Sequence, residues 1–491
     1  MRPRELTVLA GLALCAVLAW ALVPTYPDYD AYHHLVWGRD LLDGVAPGFE
    51  DYAAPTQHPL YLALGALLSL AGEHADRLLV LVTMLSLVAL TAGAYALGRE
   101  LFGFVAGVAG AVFVGSSFAF ALYAVRAFVD VPFLALVVWA AALEARRPRR
   151  GLRLDPPNRA DTSTISGGSS LAPMALLAAA GLLRPEAWVL AGLYWLWCLP
   201  GRVPRERAAL LVLVAAAPVL WALVDLSVTG DPLFSLHATS DLAQSLGRER
   251  GLRNVPASFV TFLADLARPP VALAGAIGLV LALWRFGMRR MAVPLALVGT
   301  GVITFVAIGV AGLSLIPRYL TLPAVALCVL AGYAVLGFTT LPPGAARERW
   351  RRLATGALAV GIAFLAVKAA SFGRLYDELR FIDRTHDELA GLLAEPGVRA
   401  GLRCGALTFP TYRLVPDARW QLHAAARAVH TRAGGRPAGA VAVYIAGDEK
   451  FERRFGRADG VSRATNRPPA AAPSVVHGPF VAYAVCRGPA R

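Results

Sequence analysis

PTYPDYDAYHHLVWGRDLLDGVAPGFEDYAAPTQHPLY, Pro24 to Tyr61, is a polar, acidic and aromatic island between the first apolar run of the chain and a long series of others. Those runs are about as long as a bilayer is thick, and they recur through 491 residues that are 57% hydrophobic and 16% charged. Such a composition is that of a polytopic membrane protein and argues against a soluble fold. In so apolar a chain, a stretch of this polarity needs a reason to be retained.

The formal charge of +14 is almost wholly arginine, since Lys368 and Lys450 are the only lysines. Many arginines sit in short tracts between apolar runs, which reads as membrane topology and not as nucleic-acid binding. Eleven spans are expected, at about 6–24, 77–98, 102–124, 129–145, 171–184, 186–200, 208–228, 270–286, 291–312, 318–340 and 352–370. With an uncleaved first span and a cytoplasmic N-terminus, the tracts at 146–153, 202–207, 285–290 and 347–352 all fall on the cytoplasmic side, as the positive-inside bias requires. Residues 171–200 are read as two short passes around Arg184-Pro185-Glu186, and the run from His58 to Ala71 as an interfacial helix or half-span.

The expected fold is therefore all-α and membrane-embedded over residues 1–370, with external loops at 25–76 and 229–268. Residues 371–491 alternate a charged helical stretch with β-rich runs and are expected to form a small extracytoplasmic α/β domain. Cys404 and Cys486 border two of those runs, where an oxidising exterior permits a disulfide. The segments 154–170 and 460–473, rich in Pro, Ser, Thr and Gly, read as linkers.

In the first loop, Asp28 suits an N-cap for a helix lying flat on the membrane, with Leu35, Leu41 and Leu42 as its apolar contacts. Asp30 is either a solvated first-turn charge or a reactive carboxylate. His58 begins the interfacial helix and either meets a phosphate or faces water. Arg126, Arg184 and Arg318 lie at outer span ends, a depth at which guanidinium groups suit a lipid-linked phosphate. The competing reading pairs them internally, Arg126 with Asp130 and Arg184 with Glu186, or sets them against lipid headgroups. No Walker loop, zinc spacing, nucleophile elbow or nucleotide fingerprint occurs, so a soluble nucleotide donor is unsupported.

Asp30, His34, Gly38, Leu41, Leu42 and Gly44, followed by His58-Pro59-Leu60-Tyr61, LGRELFG, the Asp130 span start, LLRPEAW and PRYLTLP, resemble in their order the recurrent phrases of the glycosyltransferase C (GT-C) superfamily. These are polyprenyl-phosphate-sugar-dependent membrane transferases, among them protein mannosyltransferases and aminoarabinose transferases. The likeness covers roughly residues 6–340. It implies transfer of one sugar with inversion from a polyprenyl phosphate carrier to a glycan, lipid or protein acceptor, at the outer face of a bacterial inner membrane. In that scheme Asp30 is the general base, and Asp28, His34, His58, Arg126, Asp130, Arg184, Glu186 and Arg318 bind substrate. The chain departs from the family pattern in placing Ala31 at the usual acidic neighbour, His34 at the tyrosine position and His58 at one proline. A metal-independent reaction is expected, with a divalent metal at Asp28-Tyr29-Asp30 left open. The alternative function is a multi-pass transporter or flippase of a lipid-linked or envelope substrate, which would need polar residues along a path at mid-membrane.

Overall fold

The structure is a computed structural model that describes residues 3–147, 170–200, 202–245, 249–368, 370–433, 435, 438–457 and 460–484. Most of the 154–170 linker and Cys486 lie outside the described residues. Cys404 is disulfide-bonded, and Cys15, Cys198 and Cys328 are free.

Every expected span is a helix. They are α1 (Pro3–Leu22), α4 (Ala75–Phe102), the pair α5 (Phe104–Gly115) and α6 (Phe118–Val125), α7 (Asp130–Ala145), α8 (Leu171–Gly181), α9 (Glu186–Cys198), α10 (Pro204–Thr229), α13 (Pro269–Arg290), α14 (Ala292–Val310), α15 (Thr321–Leu336) and α16 (Ala345–Lys368). Among the described residues, seven helices are long and apolar enough to cross a membrane, and eight if α5 and α6, bent by 55°, count as one broken span. The other three expected spans, α7, α8 and α9, have 16, 11 and 13 residues, short of the roughly 20 a bilayer needs. Between the spans lie α2 (Tyr29–Leu42), α3 (Pro59–Ser69), α11 (Phe234–Ser245) and α12 (Val255–Ala267).

Packing separates the spans into two kinds. α15 is buried along nearly its whole length, whereas α1 buries nothing, its leucines and valines facing outward. In water that surface would be a liability; in hydrocarbon it needs no protein partner. Around α15 the neighbours approach closely because glycines face it. A Cβ on Gly332 would collide with the backbone of Gly110 on α5, and one on Gly275 or Gly278 with carbonyls of α15.

Beyond α16, α17 (Ala370–Ala394), α18 (Pro396–Leu402) and α19 (Val415–Leu422) pack on a five-stranded sheet of β1 (Leu407–Phe409), β2 (Val429–Thr431), β3 (Val441–Ile445), β4 (Val475–His477) and β5 (Phe480–Ala484). The strand order is β2-β1-β3-β5-β4, parallel among the first three and antiparallel at β3-β5-β4. Phe409, Val443, Phe451 and Phe480 sit in a core separate from that of the bundle.

One expectation changes. α2 does not rest with one face on lipid: residues 31–40 are all buried, and only Leu41 and Leu42 are exposed. The reason lies far along the chain, where Arg419 and Trp420 present backbone carbonyls that accept from both terminal nitrogens of Arg39, at 3.0 and 3.1 Å. Arg419 in turn pairs with Asp40 at 2.8 Å and Asp51 at 3.4 Å. The C-terminal unit thus roofs the first loop.

Candidate active site

The first loop, the turns at 126–128, 184–185 and 313–319, helix α11 and the C-terminal unit enclose a cavity of about 1260 Å³ at one end of the bundle. The opposite end carries Arg99 paired with Glu5 and Arg146 paired with Glu100, at the far ends of α4 and α7. Asp28, Asp30, His58, Arg126, Arg184, Glu186 and Arg318 all line the cavity; His34 and Asp130 stand behind its wall.

Asp30 sits in the first turn of α2, where the helix dipole favours a carboxylate. Its Oδ2 accepts from Arg318 Nη1 at 2.7 Å, while Oδ1 has no protein hydrogen bond among the described residues. Arg318 also donates through Nε to Asp130 Oδ2 at 2.8 Å. Asp130 Oδ1 accepts from Arg184, whose Nη2 reaches Glu186 at 2.6 Å. Asp30, Asp130 and Glu186 against Arg318 and Arg184 make three negative charges and two positive, a chain with one carboxylate in excess. Asp130, with no exposed surface and both oxygens engaged, holds the two arginines in place from behind the cavity wall. The internal pairing of Arg184 with Glu186 is therefore present; that of Arg126 with Asp130 is not.

Arg126 stands outside this chain of pairs among the described residues. Its Nη1 is buried without a partner, a costly state for a guanidinium nitrogen unless a ligand supplies the acceptor. Its backbone carbonyl accepts from the Asp28 N–H at 2.9 Å, so the turn after α6 is stitched to the start of α2. Asp28 caps α2, its Oδ1 accepting from Ala31 N at 2.9 Å. Burial, reinforced by the adjacent Asp30 charge, pushes its carboxyl up to about 7.

His34 supports the base from behind. Its Nδ1–H donates to the Asp30 carbonyl at 2.7 Å, and Nε2 accepts from the His58 backbone N–H at 3.2 Å. Both bonds require the neutral ring, and burial pushes its pKa down to about 4. Its reading as a substrate ligand is thus replaced by one as a strut between α2 and α3, because the buried ring has no face toward the cavity. His58 stacks on His34 and meets Trp221 edge-on, leaving Nδ1 without a partner.

Several lining residues did not stand out in the sequence. Asp225 accepts from Gln57 at 3.2 Å and from the Ser235 hydroxyl at 2.9 Å, tying α10 to the first loop and to α11. A single aspartate late in an apolar helix was a usable signal. Tyr412, Arg413, His386 and Asp417 come from the C-terminal unit, and no local pattern marks them. Among the described residues, no group of three or more His, Cys, Asp or Glu is placed to hold a metal ion.

No protein-family model matches the chain, and no curated protein does. Solved structures do. ArnT from Cupriavidus metallidurans bound to undecaprenyl phosphate is 12% identical, with 97% of each chain covered and a TM-score of 0.57. Its apo state is 13% identical with the same coverage and score. The apo oligosaccharyltransferase of Archaeoglobus fulgidus is 12% identical over 92% of this chain and 70% of that one, with a TM-score of 0.49. Over nearly its whole length, then, this chain has the ArnT fold, a GT-C membrane fold.

Proposed function

We propose that this protein is a membrane glycosyltransferase that moves a sugar from a polyprenyl phosphate carrier to an acceptor hydroxyl at the extracytoplasmic face of a bacterial plasma membrane. The observation that carries the reading is Asp30, whose Oδ2 is fixed by Arg318 while Oδ1 has no protein partner among the described residues, at the edge of a large cavity. A carboxylate held this way is aimed without being neutralised.

In the proposed reaction the acceptor oxygen attacks the anomeric carbon. The bond from that carbon to the phosphate oxygen breaks, and the polyprenyl phosphate leaves with the electron pair. Asp30 Oδ1 takes the hydroxyl proton. Arg126 Nη1 meets the phosphate as its charge grows, and the apolar lining from Leu122, Trp188, Val189 and Ile308 suits the carrier's hydrocarbon. Each step is assigned to side chains, and none is routed through a metal ion.

The test is transfer from labelled polyprenyl phosphate sugars by the purified full-length protein and by Asp30→Asn. Loss of a positioned general base lowers the rate by about 10²–10⁴-fold. Undiminished transfer by the variant would sink the mechanism.

A further inference from the structure

The cavity wall supplied by the C-terminal unit carries chemistry that the transfer scheme leaves unused. His386 on α17 donates from Nδ1 to Asp417 Oδ1 at 3.0 Å. The same nitrogen lies 3.3 Å from the Tyr32 hydroxyl, which donates to Asp76 at 3.2 Å. Gln421 donates to the Asp417 carboxylate at 2.9 Å, and Tyr26 lies flat against the imidazole at 4.2 Å. The ring is thus held on one edge and one face. All its hydrogen bonds run through Nδ1; among the described residues Nε2 makes none, although the ring lines the cavity. Clasping the C-terminal unit to α2 accounts for Nδ1 and leaves Nε2 unexplained. A carboxylate on Nδ1 keeps the proton on that nitrogen and favours the imidazolium, the form in which Nε2 also carries N–H.

The charged groups around the ring come from three helices: Asp383 and Asp387 from α17, Asp417 from α19 and Asp76 from α4. Burial opposes a charge here, but Asp417 overcomes it with help from Asp76 and Asp387, and His386 is raised to about 9. At neutral pH Nε2–H is therefore a charged donor. On the same wall Arg413 lies over the ring of Tyr412 at 5.8 Å and pairs with no carboxylate among the described residues. Arg454, by contrast, is engaged by Glu378 at 3.1 Å.

We propose that His386 and Arg413 form an oxyanion subsite in the cavity, taking a phosphate or carboxylate group of the second substrate. That the ligand is the acceptor rests on the transferase reading; that the wall binds an oxyanion does not.

The experiment keeps the two apart. Full-length protein in detergent is saturated with undecaprenyl phosphate, to fill the lipid-phosphate position, and then titrated calorimetrically with inorganic phosphate at pH 7. A parallel titration with acetate distinguishes the carboxylate source. One further oxyanion should bind, about tenfold or more weaker in His386→Gln and in Arg413→Gln, as expected for loss of a charge-assisted hydrogen bond. Affinity in the parent should fall as pH rises through about 9, a dependence absent from His386→Gln. Retained binding of undecaprenyl phosphate shows that the variants are folded. Equal oxyanion binding by parent and both variants, or no binding by the parent, overturns the subsite. Oxyanion binding without any sugar transfer would instead count against the transferase reading and leave the subsite standing.

Discussion

Two ionic clusters flank α2, and they are built from the same parts. At its start, Asp30, Arg318, Asp130, Arg184 and Glu186 alternate in sign; near its end, Asp40, Arg419 and Asp51 do likewise, with Arg39 beside them. The second cluster is centred on a fully buried cation. Arg419 has no exposed side-chain surface, and the cluster fastens the C-terminal unit to the first loop. The first is most open at Asp30, whose side chain keeps 29% of its surface and, among the described residues, one oxygen without a protein partner. Paired charges alone therefore do not mark a site; an ion-pair chain ending in an open atom does.

That contrast can be broken by substitution. Asp30→Asn should abolish most transfer, by about 10²–10⁴-fold, while leaving thermal unfolding nearly unchanged, because the amide still accepts from Arg318. Arg419→Met should do the reverse. It removes the 2.8 Å partner of Asp40 in a buried joint, a loss of about 3–5 kcal/mol that a shift of the unfolding midpoint would report. A chain in which both variants lose stability equally would erase the distinction.

The third case is pH-dependent. His386 titrates at about 9, above the ordinary value near 6.5, so its contribution is complete below about 6.5 and lost as pH rises through about 9. The unfolding midpoints of the parent and His386→Gln should differ by roughly 2 kcal/mol equivalent at pH 7 and converge above about pH 9. A gap that persists at pH 10 would rule out the charged clasp.

Arg126→Gln should weaken polyprenyl phosphate binding by about tenfold and scarcely change stability, since its Nη1 has no protein acceptor to lose. The smallest effects belong to His34. His34→Asn keeps a donor where Nδ1 stands, and His34→Gln an acceptor where Nε2 stands, so each retains one of its two bonds. Both should lower the turnover number a few-fold with little change in lipid-phosphate affinity, whereas His34→Ala loses more of the same quantity. Equal losses in turnover and affinity would make the ring a ligand after all.

Much of the fold was legible because lipid imposes a simple rule. A span must be long and apolar, and arginine tracts then settle which ends lie together. The break into two short helices around Arg184, α8 and α9, was legible as well. What escaped was anything decided between distant segments. The burial of α2 depends on Arg419, some 380 residues away, and the pairing of Arg318 with Asp30 spans 288. The family pattern made His34 a substrate ligand, yet its neighbours engage both nitrogens. The arginines show the limit most clearly: Arg126, Arg184 and Arg318 occur in equivalent settings in the sequence, and only the carboxylates placed around two of them leave the third unmatched.

α1 has a consequence of its own. Although it buries nothing, it is held to α4 at both ends: Glu5 pairs with Arg99, and Arg77 donates to the carbonyls of Trp20 and Thr25. From Arg77 to Arg99 is 22 residues, or about 33 Å of helix, close to the roughly 30 Å of hydrocarbon in a bilayer. The two arginines form a caliper. A thinner membrane would draw one jaw into hydrocarbon, which makes the α1–α4 pair the part of this protein most sensitive to the acyl-chain length of the lipids around it.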